Sequence, residues 1–123
     1  MGYVYVNLTV KGKVSKIIRA LIDTGSAYVV MDSKTISEIG LHETPFKVEL
    51  TLADNRKVEA KLYLAEVEAD GRKGPVFVAE LDVPTPLLGF YALGTLGLKP
   101  DPVSGRLEIV GPEGGYLLQI EKL

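Results

Sequence analysis

Short runs of apolar residues, separated by glycines and prolines, make up most of this chain and predict many brief strands with few helices. Residues 3–10 and 14–22 are rich in β-branched and aromatic residues, and a Lys11-Gly12-Lys13 turn separates them. Because these residue types favour extended backbone and glycine favours a tight turn, the chain is predicted to begin with a β-hairpin that ends at Asp23.

The middle of the chain predicts two more hairpins. Apolar residues alternate with polar ones over residues 46–52 and again over 58–64, with the polar sequence Asp54-Asn55-Arg56 between them. The apolar set is Phe46, Val48, Leu50, Leu52, Val58, Ala60, Leu62 and Leu64. This pattern predicts a hairpin with one apolar face, and the next hairpin is predicted over residues 64–81 with its turn at 70–74.

Two segments have helical features. Residues 32–40 contain a Thr35-x-x-Glu38 capping signature and end at Gly40, which predicts one short helix. Residues 86–98 are apolar and can form about two or three helical turns. Further strands are predicted at residues 107–110 and 116–123. The predicted fold class is therefore mostly β, with one or two short helices.

The composition limits the possible partners. The 123 residues are predicted to form one domain, 1–123, because two halves would each be too small to bury a stable core. The chain is 46% hydrophobic and 24% charged, which is typical of ordered globular proteins. Its formal net charge of −2 gives no basic surface, so neither nucleic acid nor a membrane is expected as a partner. No apolar run approaches the roughly 20 residues of a membrane span, and a cytoplasmic location is expected.

Few side chains in this sequence can carry out chemistry. The chain has no cysteine and one histidine, His42, which follows the predicted helix and is expected to be exposed. A thiol nucleophile, a disulfide framework, a zinc ribbon and a serine–histidine pair within one chain are therefore excluded or disfavoured. We expect no metal and no cofactor, and any catalysis falls to carboxylates.

Asp23 is the carboxylate with the most unusual setting. The sequence Asp23-Thr24-Gly25-Ser26 lies between the apolar runs 20–22 and 28–31. An ionised carboxylate is costly to bury, so its place between apolar strands favours a chemical use. The same four residues also suit an ordinary turn, in which the aspartate caps backbone amides and the glycine supplies a positive φ. The residues alone leave both interpretations open.

Two motifs resemble those of aspartic proteases. The sequence Ala20-Leu21-Ile22-Asp23-Thr24-Gly25-Ser26 is similar to their active-site loop. Pro86-Leu87-Leu88-Gly89-Phe90-Tyr91-Ala92-Leu93 resembles their second signature, an apolar pair and a glycine that open a short helix. The hairpin at residues 50–62 matches the position of the family's flap, and residues 96–107 resemble the strand-turn-strand of prokaryotic members. The resemblance covers nearly the whole chain and implies a retropepsin-like, closed β-barrel fold.

The resemblance also implies a mechanism and an assembly. Pepsin-like members carry two such loops in one chain, whereas this chain has one, as retropepsins do. It therefore implies a homodimer in which a water is activated between two Asp23 carboxylates, one from each protomer. The implied activity is that of an aspartic endopeptidase acting on extended peptides or unfolded protein. The terminal runs at residues 3–10 and 116–123 are expected to be unpaired edge strands within one chain and therefore to join an intersubunit sheet.

The residues after Asp23 take their expected roles from this resemblance. The Thr24 hydroxyl would bond across the dimer axis, and Gly25 would let backbone approach the catalytic pair and the substrate. Ser26 would support the Asp23 carboxylate.

The second motif and the flap also have implied roles. Leu87 and Leu88 would pack beneath the loop, and Gly89 would permit close contact with it. Retroviral enzymes often place an ion pair where this chain has Ala27 and Phe90, so an apolar contact would have to replace that pair. The flap tip, which would close over a bound peptide, consists of Leu52, Ala53, Asp54, Asn55 and Arg56.

Two other classes of function remain open from the sequence. A catalytically silent protein of the same fold would act as a dimerisation or peptide-binding module, and a β-barrel would bind a small ligand. Residues 89–95 have the glycine spacing of a phosphate loop but lack its lysine. Asp101, Glu108 and Glu113 lack the interleaved pattern of a calcium site and are interpreted as turn-capping residues.

Overall fold

The computed structural model describes residues 3–112, and strands account for most of them. The strands are β1 (Tyr5–Lys11), β2 (Ser15–Ile22), β3 (Val29–Met31), β4 (His42–Thr51), β5 (Lys57–Ala69), β6 (Arg72–Glu80), β7 (Leu87–Leu88), β8 (Leu98–Asp101) and β9 (Arg106–Ile109). The helices are α1 (Ser33–Ile39) and α2 (Phe90–Leu96). This content confirms the predicted fold class, while the strand predicted at residues 116–123 lies outside the described residues. Within residues 3–112, neither helix has the length and apolar character needed to cross a membrane.

Six strands form a ring-like sheet around the main core. Their order is β1-β2-β7-β3-β6-β5, pairing of β1 with β5 closes the ring, and β4 extends the sheet beyond β5. The side chains of Leu8, Val10, Val67 and Val78 project inward and are fully buried. This arrangement is consistent with a retropepsin-like fold.

The first strand is not the free edge expected from the sequence. β1 pairs with β2 along its whole length and with β5 at residues 9–11. The expectation that residues 3–10 form an unpaired strand is therefore wrong for the part that closes the ring. β1 pairs on both sides because its side chains Leu8 and Val10 are buried in the core only when β1 is part of the ring.

The hairpin of β4 and β5 changes its buried face partway along. Leu62 and Tyr63 are consecutive and both buried, so the inward-facing set changes from even to odd positions there. The register between β4 and β5 also shifts early in β4. As a result Leu64 and Phe46, which the alternation places on the apolar face, are 43% and 61% exposed. The alternation is correct from Val48 to Leu62 and wrong outside that stretch, because β5 first pairs in the hairpin and then enters the ring.

Helix α1 begins earlier than the capping signature indicates. Asp32, rather than Thr35, is the N-cap, and its carboxylate accepts the Thr35 N–H at 2.8 Å. The side-chain and backbone hydrogen bonds of Thr35 hold the pKa of Asp32 below its usual value. Gly40 ends the helix with a left-handed φ of 73°, as the sequence predicts.

Candidate active site

The loop that begins at Asp23 is held in place by β7, which lies between β2 and β3. The Leu21 N–H donates to the Pro86 carbonyl at 2.9 Å, and the Asp23 N–H donates to the Leu88 carbonyl at 3.0 Å. Leu87 and Leu88 run parallel to the end of β2, and the Leu88 side chain is fully buried. The backbone on the N-terminal side of the loop is thus fixed by a central strand of the ring.

A tight turn orients the Asp23 carboxylate. The Ser26 N–H donates to the Asp23 carbonyl, and the Gly25 N–H donates to Asp23 Oδ1, both at 3.0 Å. A Cβ on residue 25 would lie 3.3 Å from the same oxygen, so glycine keeps this approach open. Asp23 is half-buried in the single chain, and Thr24 and Gly25 are exposed. The apolar flanks therefore bring the carboxylate to an open loop rather than into the core.

Ser26 makes a different contact from the one that the resemblance implies. Its hydroxyl donates to the Tyr28 carbonyl at 3.1 Å. A hydroxyl has one proton to donate, and Ser26 uses it for the Tyr28 carbonyl. The Asp23 carboxylate accepts from the Gly25 N–H instead. Ser26 acts within the described chain by stabilising the far side of the loop.

Gly89 allows helix α2 to approach the loop closely. A Cβ on residue 89 would lie 2.3 Å from the nearest loop carbonyl oxygen, far inside contact distance. The Phe90 N–H donates to the Ser26 carbonyl at 2.7 Å, and the Tyr91 N–H donates to the Ala27 carbonyl at 3.1 Å. The first N–H groups of a helix have no partner within the helix, and here the loop supplies their acceptors. Leu88, the first two residues of α2 and the loop therefore form one hydrogen-bonded unit.

Aromatic contacts occupy the region where retroviral enzymes carry an ion pair. The rings of Tyr28 and Tyr91 meet edge to face, with 5.9 Å between their centroids, and the Phe90 ring lies 6.0 Å from that of Tyr91. Phe90 and Tyr91 are 59% and 60% exposed. This chain therefore has an aromatic cluster beside the loop and, at Ala27 and Phe90, no residues that could form the retroviral ion pair.

The five predicted flap-tip residues form one tight turn. The Leu52 N–H donates to the Arg56 carbonyl at 2.8 Å, and the Asn55 N–H donates to the Leu52 carbonyl at 2.9 Å. Asn55 has a left-handed φ of 68°, which asparagine tolerates better than most residues. Arg56 Nε donates to Asp54 Oδ2 at 2.6 Å, and both side chains are exposed. Ala53 is also exposed.

A second apolar cluster connects the flap hairpin with the strands that support the loop. Its buried residues are Val30, Ala60, Leu62 and Ala79. The partly buried residues packed against them are Tyr28, Val48, Leu50, Leu81, Val83 and Leu87. Sequence reasoning did not include Tyr28, Leu81 and Val83 in the site. Leu81 and Val83 alternate with the polar Asp82, and this pattern could have indicated that both side chains share one apolar face. The prolines that follow were interpreted only as the end of the sheet.

Of the remaining titratable candidates, Asp101 has a structural role. Asp101 Oδ1 accepts the Val103 N–H at 3.0 Å, and this backbone hydrogen bond is the main reason that the pKa of Asp101 is lowered. This geometry is the turn capping expected for Asp101, whereas Glu108 lies in β9 rather than in a turn, and Glu113 lies outside the described residues. His42 is exposed, although it lies in β4. Among residues 3–112, no cluster of histidine and carboxylate side chains could hold a metal ion.

Comparison with known proteins supports the same family. No curated protein matches the chain. A sequence model of a family described as aspartyl protease matches residues 6–92, which is more than half of the chain. The matched residues include the Asp23 loop, the flap hairpin and the second motif through Ala92. The chain therefore belongs to the aspartyl protease family, as its two retropepsin-like motifs predicted.

Proposed function

We propose that this protein is an aspartic endopeptidase that works as a homodimer, with one Asp23 carboxylate from each copy in the catalytic pair. The observation that carries the proposal is the Asp23 loop itself. Its carboxylate is oriented by the Gly25 N–H, its backbone is anchored on β7, and it opens to solvent in a single chain. Membership of the aspartyl protease family supports hydrolysis of peptide bonds by this loop.

The chemistry requires two carboxyl groups because one carboxylate cannot act as acid and base at the same step. When two carboxyls lie about 3 Å apart, like-charge repulsion keeps a proton on one of them. The ionised carboxylate takes a proton from water, whose oxygen forms a bond to the scissile carbonyl carbon. The protonated carboxyl donates to the carbonyl oxygen. Collapse of the tetrahedral intermediate breaks the carbon–nitrogen bond, and a proton passes to the departing amine.

The flap hairpin supplies the binding part of the proposal. Val48 and Leu50 pack on the same apolar cluster as Leu87, so the hairpin and the loop share a partly buried apolar surface. A peptide held in extended form between them would pair its backbone with neighbouring strands and place apolar side chains on this surface. Closure of the flap would exclude water other than the reacting molecule. Extended peptides and unfolded proteins are the substrates that fit this arrangement.

A matched pair of substitutions tests the proposal. Asp23→Asn removes the charge with little change in shape, and we expect it to abolish cleavage of an unfolded protein and of a peptide library. Asp70→Asn is the control, because Asp70 lies in the exposed turn between β5 and β6 at a φ of 51° that asparagine also tolerates. This control should retain the parental rate, measured by mass spectrometry of the products.

Two outcomes would contradict the proposal. Equal cleavage by Asp23→Asn and the parent protein would place catalysis at other residues. Peptide binding without cleavage by the parent protein, from acidic to neutral pH, would favour the catalytically silent binding module instead.

A further inference from the structure

The hairpin of β4 and β5 contains an irregular segment partway along its length. The strand register shifts between Glu43 and Lys47. Residues 44–46 of β4 lie there opposite the single residue Leu62 of β5. Extra residues of this kind form a β-bulge, which interrupts the ladder of backbone hydrogen bonds and bends the strand. Because Pro45 has no N–H, it donates no hydrogen bond to the ladder either. The bulge therefore divides the hairpin into two regular parts.

The two parts of the hairpin pack on different apolar clusters. Between the bulge and the tip, Leu62 is buried in the second apolar cluster, and Val48 and Leu50 pack against that cluster. Beyond the bulge, Tyr63 is buried in the main core, and its hydroxyl donates to Glu80 Oε1 at 2.7 Å. The part near the ring is thus anchored in the main core, whereas the part that ends at the tip has a packing surface of its own.

The pairing of β5 changes at the same point. Residues 62–69 pair with β6 and so belong to the ring. Residues 57–61 pair only with β4 within the part of the chain that the structure describes. A two-stranded hairpin is marginally stable by itself, so the direction of this outer part depends on how the bulge holds it.

The Thr44 side chain bridges the two strands at the bulge. Its hydroxyl donates to the Leu62 carbonyl at 2.8 Å and accepts the Phe46 N–H at 3.2 Å. A hydroxyl can donate one hydrogen bond and accept two, so this one group connects β5 with both ends of the bulge in β4. Apolar burial does little to hold the bulge, because Pro45 is exposed and Phe46 is 61% exposed. The Thr44 hydroxyl is therefore the main side-chain contact that fixes the bulge.

We propose that the bulge at residues 44–46 is the hinge of the flap, and that Thr44 is a positioning residue that fixes the direction of the flap. This inference rests on the proposed function, in which the hairpin closes over a bound peptide. The part of β5 that begins at Tyr63 stays in the ring, while the outer part with its tip at residues 52–56 turns about the bulge. Thr44 thus acts on the reaction through the flap.

Amide exchange of the full chain tests the hinge. Thr44→Val removes the hydroxyl with little change in shape, whereas Thr44→Ser keeps the hydroxyl. We expect roughly tenfold faster exchange in Thr44→Val at residues 47–51 and 57–61, because the loss of one or two side-chain hydrogen bonds has about this effect. Exchange of residues 65–69, in the ring, should stay at the parental rate. Thr44→Ser should exchange like the parent protein throughout.

Thr9→Val is the matched control. Thr9 lies in β1, where it pairs with Ile17 and Glu68 in the ring and away from the bulge. The same loss of a hydroxyl should therefore leave exchange of the outer hairpin unchanged. Circular dichroism would show that all three variants are folded.

Other results of this experiment would overturn the proposal. Parental exchange of the outer hairpin in Thr44→Val would show that the hydroxyl does not hold the bulge. Equal acceleration in the outer hairpin and in residues 65–69 would assign Thr44 to the stability of the whole sheet. Exchange in Thr44→Ser as fast as in Thr44→Val would assign the effect to the shape of the side chain rather than to the hydroxyl.

Steady-state kinetics on a peptide substrate separates the hinge from the chemistry. We expect Thr44→Val to raise KM roughly fivefold and to leave kcat within about twofold, because the flap is ordered on binding while the Asp23 loop is unchanged. Thr44→Ser should restore the parental KM. An unchanged KM in Thr44→Val would contradict the proposal. A parent protein that cleaves no peptide would contradict the proposed function alone, and amide exchange would still test the hinge.

Discussion

At the scale of single residues, the position of Gly89 sets the distance between α2 and the active-site loop. A Cβ at this position would lie 2.3 Å from the Tyr28 carbonyl oxygen and 2.6 Å from that of Ser26. Both of these atoms are backbone, so they cannot move aside without displacing the loop that carries Asp23. We expect Gly89→Ala to lower peptidase activity by about 100-fold, because a displacement of about 1 Å at reacting groups has this effect. Steady-state kinetics on a peptide substrate would measure it.

Gly71→Ala is the matched control for Gly89→Ala. Gly71 lies in the exposed turn before β6, where a Cβ would meet no atom within 4 Å although φ is 73°. The left-handed conformation costs an alanine about 1 kcal/mol, which lowers stability without reaching the loop. Retention of parental activity by Gly89→Ala, with both variants folded, would show that the close contact does not position the loop.

Residue types in the loop could be predicted from the sequence, but the hydrogen bonds between them could not. Asp23 was identified by its apolar flanks, whereas the roles of Gly25 and Gly89 came from the resemblance to aspartic protease motifs. The direction of the Ser26 hydroxyl depends on where the Tyr28 carbonyl lies, at 3.1 Å. The turn at residues 23–26 and the start of β3 together fix this position, so no pattern within the motif could indicate it.

At the scale of secondary-structure elements, the cap of α1 gives a prediction that depends on pH. The pKa of Asp32 is lowered from 3.8 by the Thr35 hydrogen bonds, so the ionised cap stabilises the folded chain above that pH. This contribution is lost as the pH falls below 3.8 and through the lower pKa of the folded state. We expect Asp32→Ala to lower the melting temperature at neutral pH, and Asp32→Asn to lower it less, because asparagine also caps helices well.

Thermal unfolding followed by circular dichroism at neutral and at strongly acidic pH would test the cap. The difference in melting temperature between the parent protein and Asp32→Asn should shrink in acid, where the parental cap is also neutral. Thr35→Ala serves as the comparison, since it keeps the backbone N–H that Asp32 accepts. A larger loss of stability for Thr35→Ala than for Asp32→Ala would indicate that the capping signature at Thr35, and not Asp32, starts the helix.

The flap hairpin gives a second prediction at this scale. Its tip is held by two backbone hydrogen bonds and an exposed ion pair, and exposed pairs contribute only about 0–1 kcal/mol. We therefore expect the amides of the tip, residues 52–56, to exchange rapidly in the free protein, and the hairpin over residues 50–62 to gain protection from a saturating peptidomimetic inhibitor. The β8–β9 hairpin, which is outside the site, is the internal control. Equal protection of both hairpins, or of neither, would argue against a closing flap.

Strand alternation identified this hairpin but not its full extent. Between Val48 and Leu62 the sequence pattern and the buried face agree, because β4 and β5 pair there as a simple hairpin. Beyond Leu62 the same strand, β5, also pairs with β1 and turns a different side to the core. The identity of a strand's second neighbour is a long-range property, and the local pattern around Tyr63 and Leu64 does not contain it.

At the scale of the whole molecule, the ring separates structural from functional surfaces. Its interior is filled by large apolar side chains such as Leu8, Val67 and Leu88, which are fully buried. The loop of Asp23 and the flap lie at its margin, where one copy of the chain leaves the carboxylate half-buried and the flap tip exposed. Motif order and spacing predicted this division between core and site. The resemblance implied a closed sheet, but pairing of β1 with β5 as the means of closure was not predicted, because β1 is a terminal strand in the sequence.

The proposed catalytic pair leads to a prediction about mixtures of chains. If each active site needs Asp23 from two copies, a dimer with one Asp23→Asn chain is as inactive as a dimer with two. Mixing parent and variant in equal amounts at constant total concentration should then reduce activity to about a quarter after random exchange of subunits, rather than to the about one half expected of independent chains. Mixing the parent with Asp70→Asn should cause no such loss, and sedimentation would show that Asp23→Asn associates like the parent. A linear fall of activity with the fraction of parent chain, despite demonstrated exchange of subunits, would mean that one Asp23 suffices and that the water is activated by a different pair of groups.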